Sequence, residues 1–105
     1  MAIVALIVPI SGCSNVTEIG DIIANPLQFE GKEVNVRGYV GDTIWLGILN
    51  KGSYQIGDGS DTIWVVTNQP PPQKGVEISV TGTITTAFKL GDISLGTVIN
   101  ETRRS

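Results

Sequence analysis

The fold is decided by a short alternating stretch at residues 34–40, which reads VNVRGYV. Val34, Val36 and Val40 fall on one face of an extended chain, and polar or aromatic side chains separate them. A period of two residues is typical of a strand with one face in a hydrophobic core. Gly38 lies in the middle of the stretch, where a sharply bent strand needs a residue without a Cβ. The stretch therefore predicts one strand of a small coiled barrel.

The same pattern recurs further along the chain. Residues 75–84 form a second long alternating stretch, with Gly82 near its middle. Between the two stretches, residues 53–56 and 62–67 flank an Asp-Gly pair, which is a preferred hairpin turn. Residues 62–67 are apolar on both faces, as expected of a strand that is covered on both sides.

The C-terminal region supplies the last predicted strand, at residues 92–99. Arg103 and Arg104 beyond this strand are predicted to form a solvated chain end. Residues 68–74 contain three consecutive prolines and predict a stiff connector between the third and fourth strands.

A short helix is predicted to precede the strands. Thr17 is the expected N-cap of a helix over residues 18–24, in which Ile19, Ile22 and Ile23 form an apolar stripe. Asn25 and the proline after it end the helix. The predicted class is therefore all-β, with a five-stranded Greek-key barrel of OB-fold type after one short N-terminal helix.

The composition limits both the size and the chemistry of the protein. The 105 residues suffice for one domain, and 7 Lys and Arg against 10 Asp and Glu give a net charge of −3. The chain contains no His and one Cys, so most ligands for zinc, copper or haem and any His-based catalytic dyad are excluded. We therefore predict a protein that is not an enzyme, with no catalytic residues, no metal site and no cofactor.

The first thirteen residues resemble a targeting signal. Residues 1–10 are an apolar run too short to span a bilayer but typical of a secretory signal. Residues 10–13, ISGC, resemble the lipobox of bacterial lipoproteins, in which the Cys receives the lipid. The resemblance implies a signal peptide over residues 1–12, a lipid on Cys13 and a tether over residues 13–16. The alternative is a buried N-terminal strand in which Cys13 is a core thiol.

The strand motifs also resemble a family. The stretch VNVRGYV at residues 34–40, YQIGDG at 54–59 leading into IWVV at 63–66, and GVEISVTG at 75–82 are similar to the OB-fold pattern. With the lipobox, the chain resembles small bacterial OB-fold lipoproteins of the nucleic-acid-binding, tRNA-anticodon-like type. This implies one OB-fold domain over residues 17–105 on the outer side of a membrane, either periplasmic or at the cell surface. The prolines stand between strands three and four, where many OB-folds have a helix. The N-terminal helix is expected to close the same open end of the barrel instead.

In OB-folds, ligands lie across strands two and three, between the loop joining strands one and two and the loop joining strands four and five. The first loop, residues 41–52, is unusually apolar, with Trp45 as its largest side chain and Lys51 as its cation. It is either an exposed binding patch or an extension of the two strands that closes the barrel. The second loop, residues 87–92, offers Phe88 and Lys89, although Phe88 could simply cap the core.

Three further side chains are candidates for the ligand face. Trp64 lies on the opposite face of its strand from Ile63 and Val65, and it either faces a ligand or packs under the helix. Arg37 and Tyr39 both point outward from the first strand and could bind an anion, the alternative being an ordinary solvated strand face.

These observations favour a membrane-tethered, non-enzymatic binding or adaptor module. Its partners would be the membrane, through the lipid on Cys13, and a protein, peptide or glycan held by the two loops. The alternative is a single-stranded nucleic-acid-binding protein, which the family resemblance implies. The net charge of −3 disfavours that alternative, because phosphate binding depends on positive charge.

Overall fold

The computed structural model describes residues 16–105. The predicted signal segment, the lipidation site Cys13 and residues 14 and 15 of the tether lie outside the described residues. Within residues 16–105, no helix has the length and apolar character needed to cross a membrane.

Two short helices and five strands make up the domain, in the chain order α1 (Ile19–Ala24), α2 (Pro26–Phe29), β1 (Glu33–Leu46), β2 (Lys51–Gly57), β3 (Thr62–Thr67), β4 (Glu77–Leu90) and β5 (Ile93–Arg104). The strands close into a barrel in the order β1-β2-β3-β5-β4. The pairing of β3 with β5 is parallel and the other pairings are antiparallel. The prediction of an all-β, five-stranded OB-type barrel after a short helix is confirmed.

The barrel core is built from the alternating residues that the sequence pattern placed inside. Val34, Val36 and Val40 of β1 are buried in one cluster with residues of the other strands. Ile19 and Ile22 of α1 are fully buried in the same cluster. Because α1 contributes to the barrel core without belonging to the sheet, it covers an opening of the barrel, as expected for a helix that replaces the usual OB-fold helix.

The start of α1 is stabilised from a distant hairpin. The prediction that Thr17 caps the helix is wrong: the N-cap position is Glu18, and its side chain makes no capping hydrogen bond. Instead the Ile19 N–H donates to Asp58 Oδ2 at 2.9 Å and the Gly20 N–H donates to Ser60 Oγ at 2.8 Å. Both acceptors lie in the turn between β2 and β3, so the turn ties α1 to the barrel.

Asp58 also organises its own turn. Its Oδ1 accepts hydrogen bonds from the Ser60 N–H at 2.9 Å and from the Ser60 hydroxyl at 2.6 Å. Partial burial raises the pKa of the Asp58 carboxyl, but the hydrogen bonds from Ile19, Ser60 and Asp61 outweigh burial and hold that pKa below its ordinary value. The folded state therefore favours the ionised carboxylate.

Asp58→Ala is expected to lower the free energy of unfolding by about 1 kcal/mol, the usual cost of losing an N-cap acceptor. Because the pKa is lowered on folding, this contribution is present above the ordinary Asp pKa and is lost as pH falls through the folded-state value. Denaturation of both proteins across the acid range measures the difference. Asp61→Ala is the matched control, since the Asp61 side chain accepts from the neighbouring Thr62 N–H. An equal cost for both substitutions would contradict the capping role.

The predicted loops at residues 41–52 and 87–92 are mostly strand. β1 extends to Leu46 and a 3-10 turn at Gly47–Leu49 leads into β2, while β4 extends to Leu90 and β5 begins at Ile93. The alternative in which the first apolar segment extends its two strands is therefore the one observed. The exposed Trp45, Ile48 and Leu49 show that this segment does not simply close the barrel.

Candidate ligand face

The outer surface of β2 and β3 carries the predicted Trp64. Residues directly opposite each other on paired strands point to the same face of a sheet. Gln55 is opposite Trp64, and Ser53 is opposite Val66. These four residues alternate with Tyr54, Ile56, Ile63 and Val65, which lie in the barrel core. We call Ser53, Gln55, Trp64 and Val66 the outer β2–β3 face.

Strand β5 continues this face with a small apolar cluster outside the core. Val98 is opposite Trp64, and Asn100 is opposite Val66. Val66 and Val98 are both buried, yet neither belongs to the barrel core. Trp64 is half-buried beside them, on the opposite side of β3 from the core that α1 completes. As predicted, Trp64 lies on the opposite face of β3 from Ile63 and Val65, which share the core cluster with Ile19 and Ile22 of α1. Its contact with a ligand stays a prediction.

The structure separates Trp45 from Trp64. Trp45 is opposite Gly52, whereas Trp64 is opposite Gln55. Gly52 and Gln55 are three positions apart on β2 and therefore point to opposite faces. A register shift in β1 between Val40 and Thr43 causes this orientation, because an extra residue reverses the alternation beyond it. The two tryptophans thus do not form one patch.

Two of the three cations predicted for the ligand face, Lys51 and Arg37, already have polar partners. Lys51 is on the same side of β2 as Gln55 and donates to the Asn68 Oδ1 at 3.3 Å. Arg37 lies on the outer side of β1, and its Nε is 3.5 Å from Glu77 Oε2. Both members of the Arg37–Glu77 pair are exposed, so the pair is a weak surface interaction.

The remaining predicted residues lie on other parts of the outer surface. Tyr39 is exposed on β1, opposite Gly57 of β2. Phe88 is half-buried and is opposite Gly96, while the exposed Lys89 is opposite Ser94. Phe88 and Lys89 therefore belong to the β4–β5 hairpin, and their contact with a ligand stays a prediction.

An exposed apolar surface lies at the end of the β1–β2 hairpin. Ile48 is 100% exposed, Leu49 is 58% exposed and Trp45 is 38% exposed. A Cβ built on Gly52 would be 2.6 Å from Cε3 of Trp45, so the indole ring lies across the backbone at Gly52. We call Trp45, Ile48 and Leu49 the apolar tip.

A buried carboxylate that sequence analysis did not single out lies inside the barrel. Glu101 has a side chain only 4% exposed, and its Oε1 accepts a hydrogen bond from the Tyr54 hydroxyl. Its Oε2 accepts from the Thr67 hydroxyl at 2.9 Å and from Gln69 Nε2 at 3.2 Å. Burial, and then the hydrogen bond to Glu101, raise the pKa of the Tyr54 phenol above its ordinary value. Tyr54 is thus held neutral, as a donor.

Arg104 completes this network, so the prediction that it belongs to a solvated chain end is wrong. Its side chain is 18% exposed, and Nη1 lies 3.3 Å from Glu101 Oε1. Nη2 donates to the Pro70 carbonyl at 2.6 Å, and the guanidinium lies 5.5 Å from the centroid of the Tyr54 ring. With all its donors in place, the Glu101 carboxylate holds the proline connector against the barrel. The Glu101 carboxylate therefore has a structural role and is not free to accept hydrogen bonds from a ligand.

No local sequence pattern predicts the pairing of Glu101 with Arg104. Residues three apart on a regular strand point to opposite faces. Here Glu101 is opposite Gly82 and Arg103 is opposite Thr81, with a register shift between them. This irregularity brings Glu101 and Arg104 to the same side of β5. Among residues 16–105, no group of three or more Cys, Asp or Glu side chains could hold a metal ion.

The fold is similar to part of a crystal structure of an aspartyl-tRNA synthetase from Leishmania major Friedlin. The TM-score is 0.63 at 15% sequence identity, and the match covers 95% of this chain and 22% of the synthetase chain. The chain thus spans about a fifth of the length of that protein. No protein-family model matches the chain, and no curated protein matches it. The structural likeness supports the OB-type fold.

Proposed function

We propose that the chain is a non-enzymatic binding module that takes a protein, peptide or glycan on the outer β2–β3 face. In this proposal a lipid on Cys13 holds the domain on the outer side of a membrane. The observation that carries the proposal is the partial exposure of Trp64, and of Gln55 opposite it, on the side of the barrel that OB-folds use for ligands. Ser53, Val66 and Val98 beside them are buried and support the indole ring from below. Tryptophan in such a setting is a typical anchor of an interface.

The polar groups around Trp64 favour a ligand without strong negative charge. Gln55 is opposite Trp64 and Asn100 is opposite Val66, so amide groups border the apolar cluster, and Asn100 Nδ2 already donates to Thr85 Oγ1. The cation on this side of β2, Lys51, is bound to Asn68. Amides that border an aromatic anchor suit the hydrogen-bonding groups of a peptide backbone or a glycan.

Single-stranded nucleic acid is the second candidate, because one of the similar solved structures is that of an aspartyl-tRNA synthetase. Charge argues against it: Arg37 is paired with Glu77, and Lys74 lies 3.3 Å from Asp42. A site with two or three phosphate contacts would lose affinity with a slope of roughly −1.4 to −2.1 against log salt. Such binding would be weak at physiological salt.

The proposal is tested by photocrosslinking in the producing cells. A photoreactive phenylalanine analogue in place of Gln55 is expected to give a discrete crosslinked partner, which Trp64→Ala should abolish. The same analogue in place of Gln28, an exposed residue of α2, is the control. Equal crosslinking from both positions, or none from Gln55, would contradict the proposed face.

Two further readouts distinguish the parts of the proposal. Cys13→Ala should move the protein from the membrane to the soluble fraction, and unchanged fractionation would reject the tether while leaving the ligand face open. Titration of the protein with mixed-sequence single-stranded DNA tests the second candidate. Micromolar binding at physiological salt that is weakened by Lys51→Ala and Lys89→Ala would establish nucleic acid as the ligand instead.

A further inference from the structure

The apolar tip has no role in the proposed ligand face. Trp45 points to the opposite side of the sheet from Trp64. Ile48 lies in the 3-10 turn Gly47–Leu49, and the turn ends at Asn50 in the left-handed conformation with φ 51°. Turns at the ends of hairpins are usually polar, so a fully exposed Ile48 needs an explanation.

The size and shape of the apolar tip argue against a protein partner. A stable protein interface buries roughly 800 Å² on each partner and involves about 20 residues. The apolar tip consists of three side chains at the end of a hairpin, with Ile48 exposed on all sides. A projecting set of this size suits insertion into a soft phase, since Trp is enriched at the membrane interface and aliphatic side chains enter the acyl region.

The charges around the hairpin also favour a membrane surface. From residue 43 to residue 57 the chain has no acidic side chain, and Lys51 is the one cation. Lys51 is exposed at the start of β2, close behind the tip. Its ammonium group lies on the opposite side of the sheet from Trp45 and donates to Asn68 Oδ1 through an exposed hydrogen bond, which it would exchange for an anionic headgroup while the apolar tip enters the bilayer.

We propose that the apolar tip inserts into the interfacial layer of a membrane containing anionic lipid. This contact is separate from the proposed lipid on Cys13 and gives the domain a second point of attachment. Since Trp45 and Trp64 lie on opposite sides of the sheet, insertion leaves the outer β2–β3 face available. Two weak attachments together hold a protein at a membrane far better than one.

The two tryptophans of the chain allow a direct test in the full-length protein. With Trp64→Phe, Trp45 alone reports on the tip. Vesicles of phosphatidylethanolamine and phosphatidylglycerol are expected to shift its emission to the blue, and brominated lipids are expected to quench it. The reciprocal variant Trp45→Phe reports on Trp64, which should remain unquenched even when the apolar residues 1–10 hold the chain on the vesicle.

Substitutions at the tip complete the design. Ile48→Asp is expected to reduce the partitioning measured by Trp45 quenching by roughly tenfold or more, as burial of one Ile side chain is worth at least that factor. Leu27→Asp is the matched control, because Leu27 is 80% exposed on α2, away from the hairpin. It should leave the quenching of Trp45 unchanged.

Other outcomes would overturn the proposal. Trp45 emission that bromolipids do not quench would show that the tip stays in water. Equal quenching in vesicles of phosphatidylcholine alone would remove the role of anionic lipid. Concentration-dependent dimerisation that shifts Trp45 emission without vesicles, and that Ile48→Asp abolishes, would identify the tip as a contact between copies of this chain instead.

Discussion

Gly38→Ala and Gly82→Ala are each expected to prevent closure of the barrel, at a cost of about 4 kcal/mol or more. A Cβ on Gly38 would overlap the carbonyl oxygen of Gly57, and a Cβ on Gly82 would overlap that of Asn100. Both obstacles are backbone atoms of paired strands, so they cannot move aside without breaking the sheet. Because single domains are stable by only about 5–15 kcal/mol, much of either variant should be unfolded or near its unfolding midpoint at ambient temperature.

Chemical denaturation followed by far-ultraviolet circular dichroism measures this effect. Gly41→Ala is the matched control on the same strand, since a Cβ there would lie 3.4 Å from the Gln55 Cβ, an ordinary contact. It is expected to change the free energy of unfolding by less than about 1 kcal/mol. Similar unfolding midpoints for Gly38→Ala and Gly41→Ala would show that β1 does not bend against β2 as closely as the structure requires.

Both glycines could be identified from the sequence because their signal is local. Gly38 and Gly82 interrupt runs with a period of two, and a sharply bent strand accounts for such an interruption. The Asp-Gly pair at residues 58 and 59 similarly located the hairpin between β2 and β3. A pattern within ten residues was sufficient to predict each strand. Five short strands of this kind can close into a barrel in only a few ways.

The orientation of Trp45 could not be predicted, because it depends on a register shift. Alternation from Val40 would place Trp45 on the outer face with Arg37 and Tyr39. The extra residue between Val40 and Thr43 reverses this orientation. Gly41, between these two positions, is the one local sign of a bulge, but a lone glycine does not say which way the strand continues. The shift itself follows from the pairing of β1 with β4 on one edge and with β2 on the other.

The contacts of Asp58 and Arg104 were missed for a related reason. The sequence pattern indicates a turn at Asp58, but the second carboxylate oxygen of Asp58 accepts from the Ile19 N–H, 39 positions away. Arg104 looked like a chain end, yet its partners are Glu101 across a bulge and Pro70 in the connector. Contacts between distant segments follow from the closed barrel as a whole, and no local pattern encodes them.

The second large effect is expected at the buried carboxylate. Glu101→Ala should lower the free energy of unfolding by about 3–5 kcal/mol, the usual cost of removing one partner of a buried ion pair. The substitution leaves the Arg104 guanidinium and the Tyr54 and Thr67 hydroxyls without their common acceptor. Each of these groups is at least partly buried, so water replaces the lost acceptor poorly.

Glu77→Ala provides the matched control, because Glu77 also pairs with an arginine but at an exposed site. Its loss should cost less than about 1 kcal/mol, as is typical of surface ion pairs. Hydrogen exchange adds a readout specific to the network: Glu101→Ala should increase exchange in the proline connector, residues 68–74, which Gln69 and Arg104 hold to the barrel. Equal costs for Glu77→Ala and Glu101→Ala would contradict the burial seen here.

A double-mutant cycle separates a cooperative network from a set of independent bonds. If Glu101 is the common acceptor, Arg104→Ala should cost much less in the Glu101→Ala background than in the parent protein. In that background the Arg104 guanidinium is a buried charge without its partner, so its removal also removes an unfavourable group. The remaining cost should then reflect the hydrogen bond from Arg104 to the Pro70 carbonyl and its contact with the Tyr54 ring. Additive costs would instead mean that Glu101 and Arg104 stabilise the connector separately, and that the carboxylate is not the centre of the network.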